Sequence, residues 1–292
     1  MSLPNFLLVG AGKSATRSLY NYLIQHPDVY MPQLKEPQFF VAEEVRGRIQ
    51  KSVNNFEQYK KLFAGTEGKM AAGEASVMYL LFYEQAIANI KKHLGDKVKI
   101  LIILRNPVDR AYSAYNFVHV NNPDEKFTFE EALAKEEDRW GNGAVLFMQY
   151  KRMGLYADAV KAYMDNFSHV HIMWYDEFRK DPPAVLKGAF EFLGVNPGVS
   201  VDYTRQWNKG GKKWKNPVLR WLFMSDNIFK SIYKIFFPKR KGVRTNEFFR
   251  EKFMEKTVSM NPETRRMLIE YFRPDIQKLS AITGRDLSAW LK

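Results

Sequence analysis

Predominantly apolar runs alternate with helical patterns along this chain. The apolar runs predict buried strands at residues 6–9, 99–104 and 170–175. Each run leads into a polar turn, and apolar residues then recur at helical spacing over residues 14–25, 108–118 and 184–193. Strands that alternate with helices are typical of a parallel sheet with crossover helices. The pattern therefore predicts an α/β fold with a central parallel sheet flanked by helices.

The rest of the chain is helical or basic in character. Residues 123–151 are charged with a helical pattern, and residues 262–292 return to helical periodicity. Residues 205–244 combine many basic side chains with many large apolar ones. Because no internal repeat or low-complexity linker separates these parts, we expect one domain over residues 1–292 that contains the 205–244 segment.

The composition indicates a globular protein with an anionic partner. Of the 292 residues, 46% are hydrophobic and 26% are charged, as in ordinary globular domains. The 45 Lys and Arg residues exceed the 32 Asp and Glu residues, which gives a net charge of +13. This excess favours a phosphorylated nucleotide, an acidic glycan, nucleic acid or an anionic membrane. The absence of Cys excludes disulfides and Cys-based metal sites.

The sequence also bears on where the protein acts. The first residues lack the basic and apolar regions of a secretory signal, and no run of about 18 apolar residues occurs. We therefore expect a cytoplasmic protein of bacterial type. Residues 217–244 carry large apolar side chains beside the basic cluster Lys239–Lys241. This segment is either a mobile acceptor-side element that contacts anionic membrane peripherally, or a helical pair packed on the core.

A glycine-rich loop between the first strand and the first helix predicts an anion site. Glycine lets the backbone approach a phosphate, and the N–H groups at the start of the helix then point at it. Lysine, arginine and hydroxyl side chains add further donors. The candidate anion-binding residues are Gly12, Lys13, Ser14, Ala15, Thr16, Arg17 and Ser18.

Three kinds of anion site have glycine-rich loops of this general form, and their residue requirements differ. A Walker A loop needs glycine five places before Gly12, where Leu7 stands. A Rossmann turn needs an acidic residue at the end of the next strand, and Asp28 precedes the extended stretch instead. The phosphosulfate loop of sulfotransferases needs a lysine just after the turn and hydroxyl side chains at the start of the helix, and Lys13 and Thr16 meet these requirements.

A second motif follows the strand at residues 99–104. Arg105 leaves the strand, and Ser113 lies on the helix behind it, so both can hold a second phosphate. Neither a P-loop enzyme nor a Rossmann enzyme needs a phosphate clamp at this place. Here the chain resembles sulfotransferases that use 3'-phosphoadenosine-5'-phosphosulfate (PAPS). In that family the Arg and Ser of an R-[ND]-P-x(5)-S pattern hold the 3'-phosphate.

Further segments resemble the heparan sulfate sulfotransferase branch and its bacterial relatives. They are Lys35-Glu36-Pro37-Gln38-Phe39-Phe40 and Gly73-Glu74-Ala75-Ser76-Val77-Met78-Tyr79. The resemblance implies that Glu36 is the general base. It also places Lys35, Glu74 and Ser76 on the acceptor side, although Ala75 stands where the branch usually has Lys or Arg. The family's nucleotide-closing loop resembles the segment that contains Lys209, Gly210, Gly211 and Lys212.

These residues predict transfer of a sulfuryl group by in-line displacement, with release of adenosine 3',5'-bisphosphate (PAP). Lys13 would neutralise the leaving 5'-phosphate, and Glu36 would accept the proton of the attacking hydroxyl or amine. His119, near the end of the helix that carries Ser113, is an alternative base or an acceptor contact. We expect no metal, because positive donors already surround the nucleotide.

We expect an acceptor that presents a hydroxyl or amine on a glycan, a lipid or a carrier. Two other functions stay open at this point. One is a P-loop-type nucleotide kinase, and the other is a basic module that binds nucleic acid or a membrane surface without catalysis. We expect no nucleic-acid partner, since no recognition motif occurs outside residues 205–244.

Overall fold

A five-stranded parallel sheet forms the centre of the protein. The computed structural model describes residues 3–49, 52–122, 124–143, 145–204, 212–216 and 254–292. The sheet strands are β1 (Phe6–Gly10), β2 (Val29–Tyr30), β3 (Ala71–Ala75), β4 (Lys99–Leu104) and β5 (Val170–Trp174). They lie in the order β2-β3-β1-β4-β5, and each neighbouring pair is parallel. The predicted α/β class is thereby confirmed.

Helices cover both faces of this sheet. Those of the described ranges are α1 (Thr16–Leu23), α2 (Ala42–Val45), α3 (Phe56–Lys61), α4 (Met78–Leu81), α5 (Tyr83–Leu94), α6 (Pro107–Asn121), α7 (Phe129–Ala134), α8 (Glu136–Gly141), α9 (Ala157–Asn166), α10 (Tyr175–Lys180), α11 (Pro182–Leu193) and α12 (Pro262–Thr283). Short 3₁₀ helices lie at Phe39–Val41, Leu146–Met148, Arg152–Gly154 and Ser288–Leu291. Within the ranges described, no helix is long and apolar enough to cross a membrane.

Side chains of the central strands alternate between two cores, as the pleat of a strand requires. Leu7 and Val9 of β1 pack with helices α4, α5, α6, α9 and α12 on one face. Phe6 and Leu8 pack with α1 and α11 on the other. Because both faces are buried, these strands read as continuous apolar runs in the sequence.

The packing of β1 against β3 requires a small residue at position 73. Phe6 pairs with Gly73 in the parallel register. A Cβ atom added to Gly73 would lie 2.5 Å from atoms of the Phe6 ring. Strand β3 has three alanines and Glu74 at its other positions, and its carboxyl end lies beside the carboxyl end of β1.

A two-stranded antiparallel sheet lies beside α6. Strand β6 (Lys212–Trp214) pairs with β7 (Met254–Lys256). The indole N–H of buried Trp214 donates a hydrogen bond to the carbonyl of Val120 at 3.1 Å, which fixes this pair on the end of α6. The single-domain prediction for residues 1–292 includes ranges outside the described residues and stays a prediction.

Candidate active site

A cavity of about 1090 Å³ opens where β1, β3 and β4 end. Ligands of open parallel sheets bind at this edge, because the connecting loops meet there. The loop after β1, the segment between β2 and α2 and the start and outer face of α6 all contribute to the cavity wall. The structure brings these predicted residues together on the cavity: Gly12, Lys13, Ala15, Thr16, Arg17, Ser18, Lys35, Glu36, Arg105 and Ser113.

The loop between β1 and α1 has the backbone geometry of an anion cradle. Lys13 and Ala15 adopt left-handed conformations with φ of 70° and 67°. Non-glycine residues reach that region at a cost and persist there only where the surrounding structure enforces it, which is common at binding sites. Within the described part of the chain, no side chain caps the start of α1. The start of this helix, where backbone N–H groups and the helix dipole favour an anion, lies on the cavity.

Lys13 is the most electrostatically strained cation of the loop. Its Nζ lies 3.9 Å from the centroid of the Phe117 ring. Burial, and after it the positive charges of Arg105, Arg110 and Arg17, lower the pKa of Lys13 to about 8, while Glu36 opposes them. A bound anion would relieve this repulsion. The buried position of Lys13 among several arginines therefore favours a negatively charged ligand.

Arg105 joins the second motif to the loop. Its Nη1 donates a hydrogen bond to the carbonyl of Lys13 at 3.3 Å, and its guanidinium lies 4.5 Å from the Tyr175 ring centroid. The Tyr156 hydroxyl donates to the Arg105 carbonyl at 3.1 Å. Helix α6 then begins with Asn106, whose side chain accepts from the Val108 N–H. This start directs Ser113 to the same cavity as Arg105.

Glu36 extends into the cavity from an unusual backbone position. Its φ is 64°, and its N–H donates to the carbonyl of Ala75 at 3.0 Å. Its carboxylate accepts from Lys35 Nζ at 2.6 Å and from Gln38 Nε2 at 3.2 Å. The Glu36 side chain is 28% exposed, so it can reach both solvent and a bound ligand.

Of the predicted site residues that the structure describes, Ser14, Glu74, Ser76 and His119 do not line the cavity. Ser14 is fully buried behind the loop, next to the Tyr156 hydroxyl. Glu74 and Ser76, which we expected on the acceptor side, are buried in the core at 1% and 0% exposure. Their place is beneath the loop that carries Glu36 rather than on the acceptor surface. His119 packs against the Tyr115 ring at a centroid distance of 5.3 Å.

Helix α6 carries both Ser113 and His119. His119 lies six residues after Ser113 and seven after Tyr112, and both Ser113 and Tyr112 line the cavity. His119 itself is not part of the cavity wall, and its ring packs beside the ring of Tyr115. The structure therefore does not place His119, expected as an alternative base or an acceptor contact, on the cavity.

The predicted nucleotide-closing residues fall mostly beyond what can be described. Lys209, Gly210 and Gly211 lie outside the described residues, as does the 217–244 segment. Lys212 begins strand β6, whose partner strand contributes Met254 to the cavity wall.

Several cavity residues were not predicted. Aromatic side chains and one further cation also line it: Tyr22, Tyr112, Phe117, Phe147, Tyr175, Phe178, Tyr203 and Arg179. Part of this set carries a signal in the sequence. Positions 109, 112, 113, 116, 117 and 120 recur at helical spacing around Ser113 and form one face of α6. The residues from α10 and from position 203 could be found only from the tertiary fold.

Known proteins similar to this chain share one activity class. A family model described as "Sulfotransferase domain" matches residues 3–279. The mouse protein named bifunctional heparan sulfate N-deacetylase/N-sulfotransferase 4 is 25% identical over 302 residues, which cover 99% of this chain and 31% of the relative. The human protein of the same name with the number 3 is 24% identical over 301 residues, with the same two shares. The chain thus spans about a third of the length of these curated relatives.

Two solved structures show the same architecture. A crystal structure of a sulfotransferase from Alicyclobacillus acidocaldarius matches with a TM-score of 0.77 and 32% identity, and the match covers 100% of both chains. The mouse sulfotransferase SULT7A1, solved in complex with PAP, matches with a TM-score of 0.53 and 18% identity over 97% of this chain and 89% of its own. At 18% identity, the match to the mouse protein shows a shared fold alone.

Proposed function

Because this chain belongs to the sulfotransferase family, we propose that it transfers a sulfuryl group from PAPS to a hydroxyl or amine of an acceptor and releases PAP. The observation that carries the proposal is the meeting of two anion-binding groups on one cavity. The loop of residues 12–18 is one, and Arg105 with Ser113 is the other. A nucleotide with charged groups at both its 5' and 3' positions needs two such groups.

The side chains present fit such a nucleotide. Lys13, Thr16 and Ser18 would hold the 5'-phosphosulfate together with the N–H groups at the start of α1. Arg105 and Ser113 would hold the 3'-phosphate by charge-assisted hydrogen bonds. Tyr175, beneath the Arg105 guanidinium, belongs to an aromatic part of the wall that offers flat apolar surface for a purine ring.

Sulfuryl transfer breaks the bond between sulfur and the 5'-phosphate oxygen and forms a bond between sulfur and the acceptor atom. Lys13 would neutralise the charge that develops on the leaving phosphate oxygen. Glu36 would accept the proton that the acceptor loses. Lys35 and Gln38 hold both carboxylate oxygens of Glu36 in place, so the base is oriented before the acceptor arrives. We propose that no metal takes part in these steps.

We propose that the acceptor is a glycan, a lipid or a carrier-bound group that presents a free hydroxyl or amine. The names of the curated relatives refer to heparan sulfate N-sulfation, which supports a glycan amine or hydroxyl. Ala75 stands where the resemblance would put a basic side chain, but it is buried at the end of β3 and does not line the cavity. A cytoplasmic place of action and peripheral contact with anionic membrane through 217–244 stay predictions.

The experiment that tests this function uses ³⁵S-labelled PAPS and a panel of acceptors. The panel contains N-deacetylated and desulfated glycans, a simple alcohol, a simple amine and water alone, each with EDTA present. We expect labelled product and stoichiometric PAP, and Arg105→Ala should lose most of the turnover at low PAPS. No PAP release with any acceptor, combined with Mg²⁺-dependent transfer from ATP, would instead favour a kinase.

A further inference from the structure

A buried carboxylate lies directly beneath the loop that carries Glu36. Glu74 is 1% exposed, although it belongs to the strand that ends at the active site. Its Oε1 accepts a hydrogen bond from the Tyr79 hydroxyl at 2.6 Å, and its Oε2 accepts one from the Ser76 hydroxyl at 2.8 Å. Both hydroxyl groups are also fully buried. Glu74 thus uses both of its oxygens on side chains of its own segment.

These two hydroxyl groups in turn hold the loop. The Ser76 Oγ accepts the Gln38 N–H at 3.1 Å, and the Tyr79 hydroxyl accepts the Phe40 N–H at 3.4 Å. A hydroxyl has one proton and two lone pairs. Because the Glu74 carboxylate can only accept, it draws both hydroxyl protons inward and leaves the lone pairs for the loop N–H groups. The ionised carboxylate therefore sets the direction of both hydrogen-bond chains.

The loop needs such a support because its backbone is strained. Glu36 and Gln38 have φ values of 64° and 56°, a region that side chains other than glycine rarely adopt. Such conformations persist where neighbouring contacts over-determine them. Gln38, whose N–H is held through Ser76, also donates its side-chain amide to Glu36 Oε2 at 3.2 Å. The chain of contacts thus runs from Glu74 through Ser76 and Gln38 to the carboxylate of Glu36.

We propose that Glu74 is a positioning residue that holds the catalytic carboxylate of Glu36 in place through the hydroxyl groups of Ser76 and Tyr79. This inference rests on the proposed function, since it assigns Glu36 the role of base. Glu74 itself touches neither nucleotide nor acceptor. It acts by fixing where the proton acceptor stands relative to the attacking atom, and an error of about 1 Å in such placement can cost a hundredfold in rate.

A purely structural role is a poor explanation of this carboxylate. Burial raises the pKa of Glu74 to about 7, and the bonds from Tyr79 and Ser76 only partly oppose it. A buried charge of this kind adds little to stability, and apolar replacements of buried ionic groups are often tolerated or stabilising. The presence of the Glu74 carboxylate beside a strained loop is better explained by a role in holding that loop in place.

The test compares Glu74→Gln with a matched control. Glutamine has nearly the same volume, but one end of its amide donates, so it cannot draw both hydroxyl protons inward. Glu125→Gln is the control, because Glu125 is also fully buried and also accepts a tyrosine hydroxyl, that of Tyr150, at 2.6 Å, away from the cavity. The measurements are kcat with ³⁵S-labelled PAPS and the best acceptor of the panel or water, PAP affinity by calorimetry, and the melting temperature.

We expect Glu74→Gln to lower kcat at least about tenfold, the change that follows from loss of one charge-assisted hydrogen bond, while PAP affinity changes less than about twofold. Glu125→Gln should keep kcat within about twofold of the wild type, even if it melts earlier. Should Glu74→Gln fail to fold, Ser76→Ala removes the acceptor of the Gln38 N–H together with the donor to Glu74 Oε2, and it should give the same drop in kcat.

A double-mutant cycle separates positioning from general damage. In a Glu36→Gln background the proton acceptor is already gone, so adding Glu74→Gln should lower kcat less than about twofold further. Full additivity of the two changes, or wild-type kcat in both Glu74→Gln and Ser76→Ala, overturns the positioning role while PAPS-dependent turnover of the wild type stands. Absence of that turnover and of PAP binding in the wild type would instead overturn the proposed function itself.

Discussion

Replacing Lys13 with alanine should separate catalysis from nucleotide binding. In the free protein the pKa of Lys13 lies near 8 rather than its ordinary 10.5, mainly because the ammonium is buried and also because Arg105, Arg110 and Arg17 repel it. At 1.36 kcal/mol for each pKa unit, the site disfavours this charge by about 3 kcal/mol. Replacing Lys13 therefore removes an unfavourable buried charge as well as an attraction to the phosphate. The remaining cations still bind the phosphate.

The transition state differs because the leaving phosphate oxygen gains charge there. Loss of one such stabilising group typically costs about a hundredfold to a thousandfold in kcat. We expect Lys13→Ala to lower kcat at least about a hundredfold and to weaken PAP binding less than about tenfold. Calorimetric titration with PAP and initial rates at saturating PAPS measure the two quantities.

The matched comparison is Arg105→Ala. Arg105 lies at the second anion group, away from the bond that breaks, so its loss should weaken PAP binding at least about tenfold, with a smaller change in kcat. If both variants lose the same free energy in binding and in kcat, the division between a catalytic lysine and a binding arginine is wrong.

Three further predictions follow from the site. The value of kcat/KM should fall as pH rises through about 8, because free Lys13 loses its proton there, and a pH profile with no such limb contradicts the assigned charge. Glu36→Gln should keep PAP affinity and melting temperature but lose at least about a hundredfold in kcat, and near-normal turnover would give the base role to another group. The pKa of Glu74, raised by burial from 4.5 to about 7, means that the folded state holds this proton more tightly between those pH values. The free energy of unfolding should therefore fall by about 3 kcal/mol as pH rises from 4.5 to 7, and denaturant titrations of Glu74→Gln should lack this contribution.

The sequence predicted those strands whose residues both pack in the core and have high strand propensity. Strand β4 has its predicted bounds, because a run of Ile and Leu is typical of a strand buried on both faces. Strand β3 was not predicted. Its alanines and glycine have weak strand propensity, and at Gly73 the ring of Phe6 leaves no room for a side chain. That constraint belongs to the neighbouring strand and cannot be read from β3 alone.

The candidate site was predictable to the extent that topology determines it. The loop after β1 and Arg105 after β4 had to meet, because β1 and β4 are parallel neighbours whose carboxyl ends share one edge. The burial of Glu74 and Ser76 was not predictable, since it depends on how the loop with Glu36 folds over the end of β3. The absence of His119 from the cavity wall was not predictable from the helical period of α6, because His119 follows the cavity residue Tyr112 by seven residues, about two helical turns.

The central claim is that the cavity holds a nucleotide with separate groups for its 5' and 3' charges. Its most direct test is calorimetric titration of the wild-type protein with PAP and with adenosine 5'-monophosphate, in EDTA. Charge-assisted hydrogen bonds to Arg105 and Ser113 should make PAP bind at least about tenfold more tightly than the monophosphate, and Arg105→Ala should abolish most of that difference. Equal affinity for the two nucleotides, or binding that requires Mg²⁺, would contradict the account.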